Sequence, residues 1–304
     1  MSIVEKAVEK LKTLTVESPP SPQVETAPRR AVPTVERLQE QMHIVDQPAE
    51  APPLCHVDLA ALKRMGWLPA DGEAEHRRAA ELSYVKRPLL ANAIGLAHAG
   101  GKDAETFIRG KRIVVTSAEA GEGKTFAAVN LAMSLARETD FEVLLVDGDV
   151  SKSDITRIFG LDGKPGLMHV LADEQRAPAE VIIRTDVPNL LVVPAGEPHP
   201  FAAELFRSRR MEYVLDEFGG RNRRRLMVFD SSPLLATTES QVLVSHMGQV
   251  VMVVAANRTR RQAVNAALQR LSAFQYVGLV LNRSRLPAGE NYYGNYYERH
   301  SKDR

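Results

Sequence analysis

The sequence predicts a doubly wound α/β fold, a mostly parallel sheet covered by helices on both faces. Three observations carry this. Six apolar runs of strand length stand at 113–116, 143–146, 190–193, 226–229, 250–254 and 277–281. Helical patterns lie between several of them. A loop of small residues joins the first run to a helix that opens on Gly123-Lys124-Thr125. Strands buried on both faces read as unbroken Val, Ile and Leu rather than as an alternation, and both 143–146 and 250–254 read that way. With 304 residues, 44% of them hydrophobic, the chain can build one such domain and still carry accessory segments.

In chain order, residues 1–16 read as an amphipathic helix. Ile3, Val4, Ala7, Val8, Leu11 and Leu14 form one apolar stripe, and Ser2 with Glu5 has the spacing of a capping box. So short a helix does not bury its stripe alone, so it is expected to dock on a partner, on another copy or on the rest of the chain. Residues 17–53 are rich in proline and read as a linker, with a short helical pattern from Thr34 to His43. Residues 54–104 form a helical preamble, first around Leu59, Leu62 and Met65, then from Glu73 to Ala99. Pro88 is expected to break or kink the second helix near Arg87. Residues 105–286 hold the α/β domain. Residues 287–304 are polar, with Tyr292, Tyr293, Tyr296 and Tyr297 in a segment almost free of aliphatic side chains, and are expected to be exposed.

Bulk chemistry excludes several classes. Lys and Arg total 39 against 38 for Asp and Glu, so a net charge of +1 sets up no global field, and no specific nucleic-acid partner is expected. Cys55 is the only cysteine, which rules out an intrachain disulfide and a multi-thiolate zinc cluster. No run reaches the ~18 apolar residues of a membrane span; 242–256 reads as a helix end followed by a buried strand. The expected location is cytoplasmic, reaching the membrane only through a partner.

The chemistry gathers at strand ends. The run from Ile113 to Thr125 is strand, loop and helix start, a Walker A loop with Ala118 in place of the usual first glycine. In such a loop the backbone of Ala120, Gly121, Glu122, Gly123, Lys124, Thr125 and Phe126 cradles phosphates. Lys124 neutralises them and the Thr125 hydroxyl is a Mg²⁺ ligand. The next strand ends in Asp147-Gly148-Asp149, two carboxylates beside the loop. A later one ends in Asp230 followed by Ser231-Ser232-Pro233, the Walker B pattern. Asp147, Asp149 and Asp230 are thus candidate catalytic and metal-binding residues with Lys124 and Thr125.

These three motifs in this order make the chain resemble the bacterial tyrosine kinases, P-loop enzymes unrelated to the eukaryotic kinase fold. Residues 2–11, Val85-Lys86-Arg87-Pro88-Leu89-Leu90 and the tyrosine-rich end are similar to the autokinases that accompany exosortase-linked exopolysaccharide systems. The resemblance implies ATP and Mg²⁺ as cofactors, an adenine contact near Asn282, a homo-oligomer that phosphorylates its own tail in trans, and a membrane-spanning polysaccharide chain-length partner. It covers the chain from about Glu81 onward. Two departures stand out: Ser151 sits where the family usually has Arg, and the preamble's glutamate-arginine oligomerisation motif is degenerate around Glu75, Arg78 and Glu81.

A phenol is a poor nucleophile at its free pKa of about 10, so transfer to tyrosine needs a nearby carboxylate and a metal. The tail tyrosines are the expected acceptors; a stacking surface is the alternative reading of the same residues. The arginine runs 207–210 and 221–225 read either as solvated helix ends or as a site for an acidic segment. The competing function is a partition-type switch ATPase without kinase activity. That group carries an extra lysine where this chain has Glu119.

Overall fold

The computed structural model describes residues 54–98, 109–219 and 224–284. The expected amphipathic helix, the linker, the tyrosine tail and Arg221 to Arg223 lie outside them.

The chain enters through β1 (Leu54–Cys55), α1 (Leu59–Arg64) and α2 (Glu73–His98). Next come β2 (Arg112–Ser117), α3 (Lys124–Ala136), β3 (Glu142–Asp147), α4 (Asp154–Ile158) and α5 (Leu167–Ala172). A 3₁₀ turn at Pro178–Val181 leads to β4 (Ile183–Thr185), β5 (Leu190–Val193), α6 (Ala202–Arg207) and α7 (Arg209–Gly219). The last elements are β6 (Arg225–Asp230), α8 (Thr238–Ser245), β7 (Gln249–Ala255), α9 (Arg261–Arg270) and β8 (Val277–Asn282).

The strands form one sheet in the order β1-β4-β5-β3-β6-β2-β7-β8. Every pairing is parallel except β4 with β5. All six expected strands are present, each within a residue or two of its expected ends. β1 and β4 had no sequence counterpart: at two and three residues they are too short to show a period. Val242 to Ala256 is the end of α8 followed by β7, and among the described residues no helix is long and apolar enough to cross a membrane.

Strand periodicity of two sends alternate side chains to the two faces. Val114, Leu144, Phe229 and Met252 pack on one face with Leu167, Phe206, Leu215, Phe218 and Leu243. Ile113, Val115, Leu145, Val228 and Val253 pack on the other with α3 and with the preamble residues Val57, Leu62, Leu68, Leu89 and Ala93. The preamble therefore shares the core of the sheet. Leu62, only 1% exposed, tests this: Leu62→Ala is expected to cost about 2–5 kcal/mol in chemical denaturation. Exposed Met65→Ala should stay within about 0.5 kcal/mol of the parent.

Of the two outcomes expected at Pro88, the break does not occur: α2 runs from Glu73 to His98 with the proline inside it. Tertiary contacts offset the proline's cost: Leu89 and Ala93 are buried on the sheet, and Lys86 Nζ reaches Glu138 at 2.5 Å. Buried Gln249 completes the anchorage, its Nε2 donating to the Leu89 carbonyl at 3.0 Å while its Oε1 accepts from Asn92 at 3.0 Å.

Candidate phosphate-binding site

β2, β3 and β6 run parallel, so their C-terminal ends fall at one edge of the sheet, the usual place for ligands in open α/β folds. There the chain turns from Ser117 through the loop into α3. Gly121 and Gly123 have φ of 78° and 94°, left-handed values that favour glycine, and Gly123 caps the helix. Asn282, at the end of β8, donates from Nδ2 to the Glu122 carbonyl at 2.9 Å, and a Cβ on Gly123 would stand 2.1 Å from that same nitrogen. The expected adenine-side residue thus braces the phosphate loop itself.

Gly148 explains the spacing of the first acidic pair. Its N–H donates to the Asp230 carbonyl at 2.9 Å, and a Cβ there would come within 2.6 Å of that oxygen. The close approach brings Asp147, Asp149 and Asp230 into one buried group beside Lys124. Phe126 is half-buried, and its ring lies under the Arg78 guanidinium, 5.1 Å from its centre.

The three carboxylates differ sharply. Asp149 Oδ2 faces Lys124 Nζ at 2.7 Å, and its Oδ1 accepts from Ser151 at 2.8 Å and from Ser232 at 2.7 Å. Burial works to raise the Asp149 pKa, but the Lys124 charge and these hydroxyls prevail and hold it low. Lys124 in turn is raised, because Asp230 and Asp149 outweigh the lowering effect of its own burial. Asp147 accepts from Thr156 N–H at 2.8 Å and Thr156 Oγ1 at 2.7 Å through Oδ2, while Oδ1 has no hydrogen-bond partner. Neither Asp230 oxygen makes a hydrogen bond of ordinary geometry, although the Thr125 hydroxyl stands near enough to favour its charged form. Burial pushes Asp147 up to about 6 and Asp230 up to about 7.

Orphaned, buried carboxylate oxygens next to a hydroxyl and an ammonium suit a hard cation together with an anionic ligand. Among the described residues no three His, Cys, Asp or Glu side chains converge as a ready-made metal cage. Mg²⁺ needs no such cage: it holds to one or two carboxylates and fills its remaining positions with water and phosphate. Thr125, Asp230 and Asp147 Oδ1 are the groups with capacity to spare.

Several site residues were missed from sequence. Thr156 ties Asp147 to the Ala195 N–H at 2.9 Å, and Ser232 holds Asp149. Thr259 donates to buried Glu122, whose Oε2 accepts from the Glu119 N–H at 2.8 Å. A hydroxyl or a lone threonine gives no sequence signal for such work. Ser151, marked as a departure, donates its hydroxyl to Asp149 Oδ1. Glu75 pairs with Arg137 at 2.8 Å and Arg78 with Glu81 at 3.3 Å, so the preamble's charges are engaged within the chain. Of the arginine runs, Arg210 donates from Nε to the Val170 carbonyl at 2.9 Å and Arg225 from Nη1 to the Phe218 carbonyl at 2.9 Å. Both are structural ties.

Comparison with known proteins adds four observations. The AAA domain family matches residues 110–279. Tyrosine-protein kinase CpsD of Streptococcus agalactiae is 29% identical over 196 residues, 63% of this chain and 84% of CpsD. EpsB of Ralstonia nicotianae is 34% identical over 173 residues, which is 56% of this chain but only 22% of EpsB, so the chain spans less than a quarter of that relative. Among solved structures, the VpsO kinase domain aligns with a TM-score of 0.55 at 27% identity, covering 71% of this chain and 100% of that one.

Proposed function

We propose that this chain, which belongs to the AAA domain family, is an ATP-dependent protein-tyrosine kinase that phosphorylates Tyr292, Tyr293, Tyr296 and Tyr297 of its own C-terminal segment. One observation carries the reading: a phosphate loop whose lysine stands among three buried aspartates, two of them with oxygens left unpaired. Kinship to proteins named tyrosine kinases supports the choice of reaction. So does the glutamate at position 119, where partition-type ATPases carry a lysine.

In this reading the backbone N–H groups from Ala120 to Phe126 hold the phosphates, and Lys124 exchanges its contact with Asp149 for the β- and γ-oxygens. Thr125 and Asp230 would hold Mg²⁺, and Asp147 Oδ1, also without a partner, could join them. The ion, when bound, draws charge from the transferring group. Asp149 stays ionised through Lys124, Ser151 and Ser232, and so orients the lysine. The acidic group also supplies the carboxylate that takes the phenolic proton as the tyrosine oxygen attacks the γ-phosphorus and the bond to the β-bridging oxygen breaks. The tail comes from a second copy, the chain works as a homo-oligomer, and a membrane-spanning partner of an exopolysaccharide system links it to the membrane.

The test is phosphosite mapping by mass spectrometry after incubating the full chain with Mg-ATP. Phosphate is expected on the four tail tyrosines, and replacing all four with Phe should remove at least about nine-tenths of the incorporated label. ATP hydrolysis without any phosphotyrosine, with the partner's cytoplasmic segment supplied, would reject the kinase and leave the switch ATPase.

A further inference from the structure

We propose that Thr259 is a positioning residue of the nucleotide site: acting through the Glu122 carboxylate, it fixes the phosphate loop in one conformation before nucleotide arrives, and so tightens nucleotide binding. The inference rests on the reading of the Walker loop as a nucleotide site. It goes beyond that reading, since Thr259 belongs to neither the loop nor the acidic motifs and acts by holding the protein rather than the ligand.

The loop needs such a hold. Gly121 and Gly123 both take left-handed φ, and glycine moves between backbone regions more freely than any other residue. A loop hinged on two of them would have to be ordered by its ligand, at a cost in affinity. In the sheet β2 lies between β6 and β7, so the loop that follows it has β6 and β3 on one flank and β7 and β8 on the other. On the first flank Lys124 meets Asp149 at 2.7 Å. On the second flank the hold falls on Glu122, the residue between the two glycines.

Glu122 is only 1% exposed. Its Oε2 accepts from the Glu119 N–H at 2.8 Å, which closes the loop across Ala120 and Gly121, and its Oε1 accepts from the Thr259 hydroxyl. Its own carbonyl accepts from Asn282 Nδ2 at 2.9 Å. Thr259 sits in the turn after β7, where Asn257 has a left-handed φ of 56° and the Thr259 N–H donates to the Ala255 carbonyl at 3.1 Å. The Thr259 Oγ1 accepts from the Ala255 N–H at 3.0 Å. A hydroxyl carries a single proton, and with the Ala255 N–H supplying its own, that proton goes to Glu122.

Thr259 therefore links the end of β7 to the centre of the loop through one hydroxyl. Serine can make both bonds and valine, close to threonine in shape, can make neither. Thr259→Val leaves a buried carboxylate oxygen without its donor, a state a side chain avoids by moving. The centre of the loop then loses its tie on the β7 flank, while Lys124 keeps its partner on the other. Backbone contacts of a phosphate loop are common to ATP and ADP, so both nucleotides should feel the loss.

The experiment is equilibrium titration of the full chain with fluorescent ATP and ADP analogues, with circular dichroism as the fold control. The parent is compared with Thr259→Val, Thr259→Ser, Glu122→Ala and the double variant that combines Thr259→Val with Glu122→Ala. Leu62→Ala, a core change in the preamble, controls for general destabilisation. Thr259→Val is expected to bind both analogues about tenfold more weakly and Thr259→Ser within about threefold of the parent. The double variant should bind no more weakly than Glu122→Ala alone, because Thr259 works through Glu122. Leu62→Ala should melt lower and keep the parent affinities. Parent-like affinity in Thr259→Val overturns the proposal and leaves the nucleotide site standing. A serine variant as weak as the valine one, additive losses in the double variant, a loss confined to one nucleotide, or an equal loss in Leu62→Ala each overturn it as well. A parent chain that binds neither analogue overturns the nucleotide-site reading itself, and this proposal with it.

Discussion

Replacing Lys124 with Met is expected to reduce phosphotyrosine formation at least about a hundredfold, the scale of losing a charge-stabilising donor at a transferring group. The substitution should also destabilise the protein, since it leaves Asp149 as an uncompensated buried charge 2.7 Å from the vacated ammonium position. The loss of one partner from such a pair costs about 3–5 kcal/mol. The two effects can be separated. Lys124→Met with Asp149→Asn should recover most of the stability and none of the phosphotransfer. Radiolabel incorporation and chemical denaturation measure the two quantities, and an active Lys124→Met protein would contradict the site assignment.

Asp230→Asn should trade activity for stability in a pH-dependent way. Burial raises the folded pKa of Asp230 from 3.8 to about 7, with Lys124 only partly opposing it. A carboxyl whose folded pKa lies above its unfolded one contributes stability that is fully present below the unfolded value and lost as pH rises through the folded one. Asp147, raised to about 6, acts in the same direction. The ligand-free protein should therefore melt at lower temperature at pH 8 than at pH 5. Asp230→Asn carries no charge and should flatten that slope, melting at least about 2–4 °C above the parent at pH 8, with the gap narrowing as pH falls toward the unfolded pKa of 3.8. Phosphotransfer should fall at least about a hundredfold. A variant less stable than the parent at pH 8 would show that Asp230 is stabilised in its charged form by something other than the groups described.

The sequence made some of this legible and hid the rest for physical reasons. Strands β2, β3, β6 and β7 are buried on both faces, so they appear as uninterrupted apolar runs with an acid or a glycine loop at their ends. The loop glycines and the Asp147-Gly148-Asp149 pair were visible because their conformations depend on residue type. What stayed hidden depends on partners remote in the chain. Ser232 meets Asp149 across 83 positions and Thr259 meets Glu122 across 137, distances at which one sequence without a fold says nothing. That α2 continues through Pro88 was hidden for a related reason: the packing of Leu89 and Ala93 on the sheet is not contained in the local sequence. Asn282 was singled out from sequence as a candidate contact at the end of the last strand, but its bond to the Glu122 carbonyl became visible only with the strand in register.

The two-residue strand β1 has a practical bearing on how this protein can be dissected. It hydrogen-bonds to β4 at one margin of the sheet, while Asn92 and Leu89 of α2 are fastened to Gln249 in β7, next to the opposite margin. Between these two moorings the lead-in crosses a whole face, like a strap buckled at both ends. A fragment begun at residue 105 would discard the strap and uncover the part of that face which Val57, Leu62, Leu68, Leu89 and Ala93 cover. Poor solubility of such a fragment would then say nothing about its chemistry. Cuts meant to isolate the α/β domain belong in the proline-rich stretch upstream of Leu54.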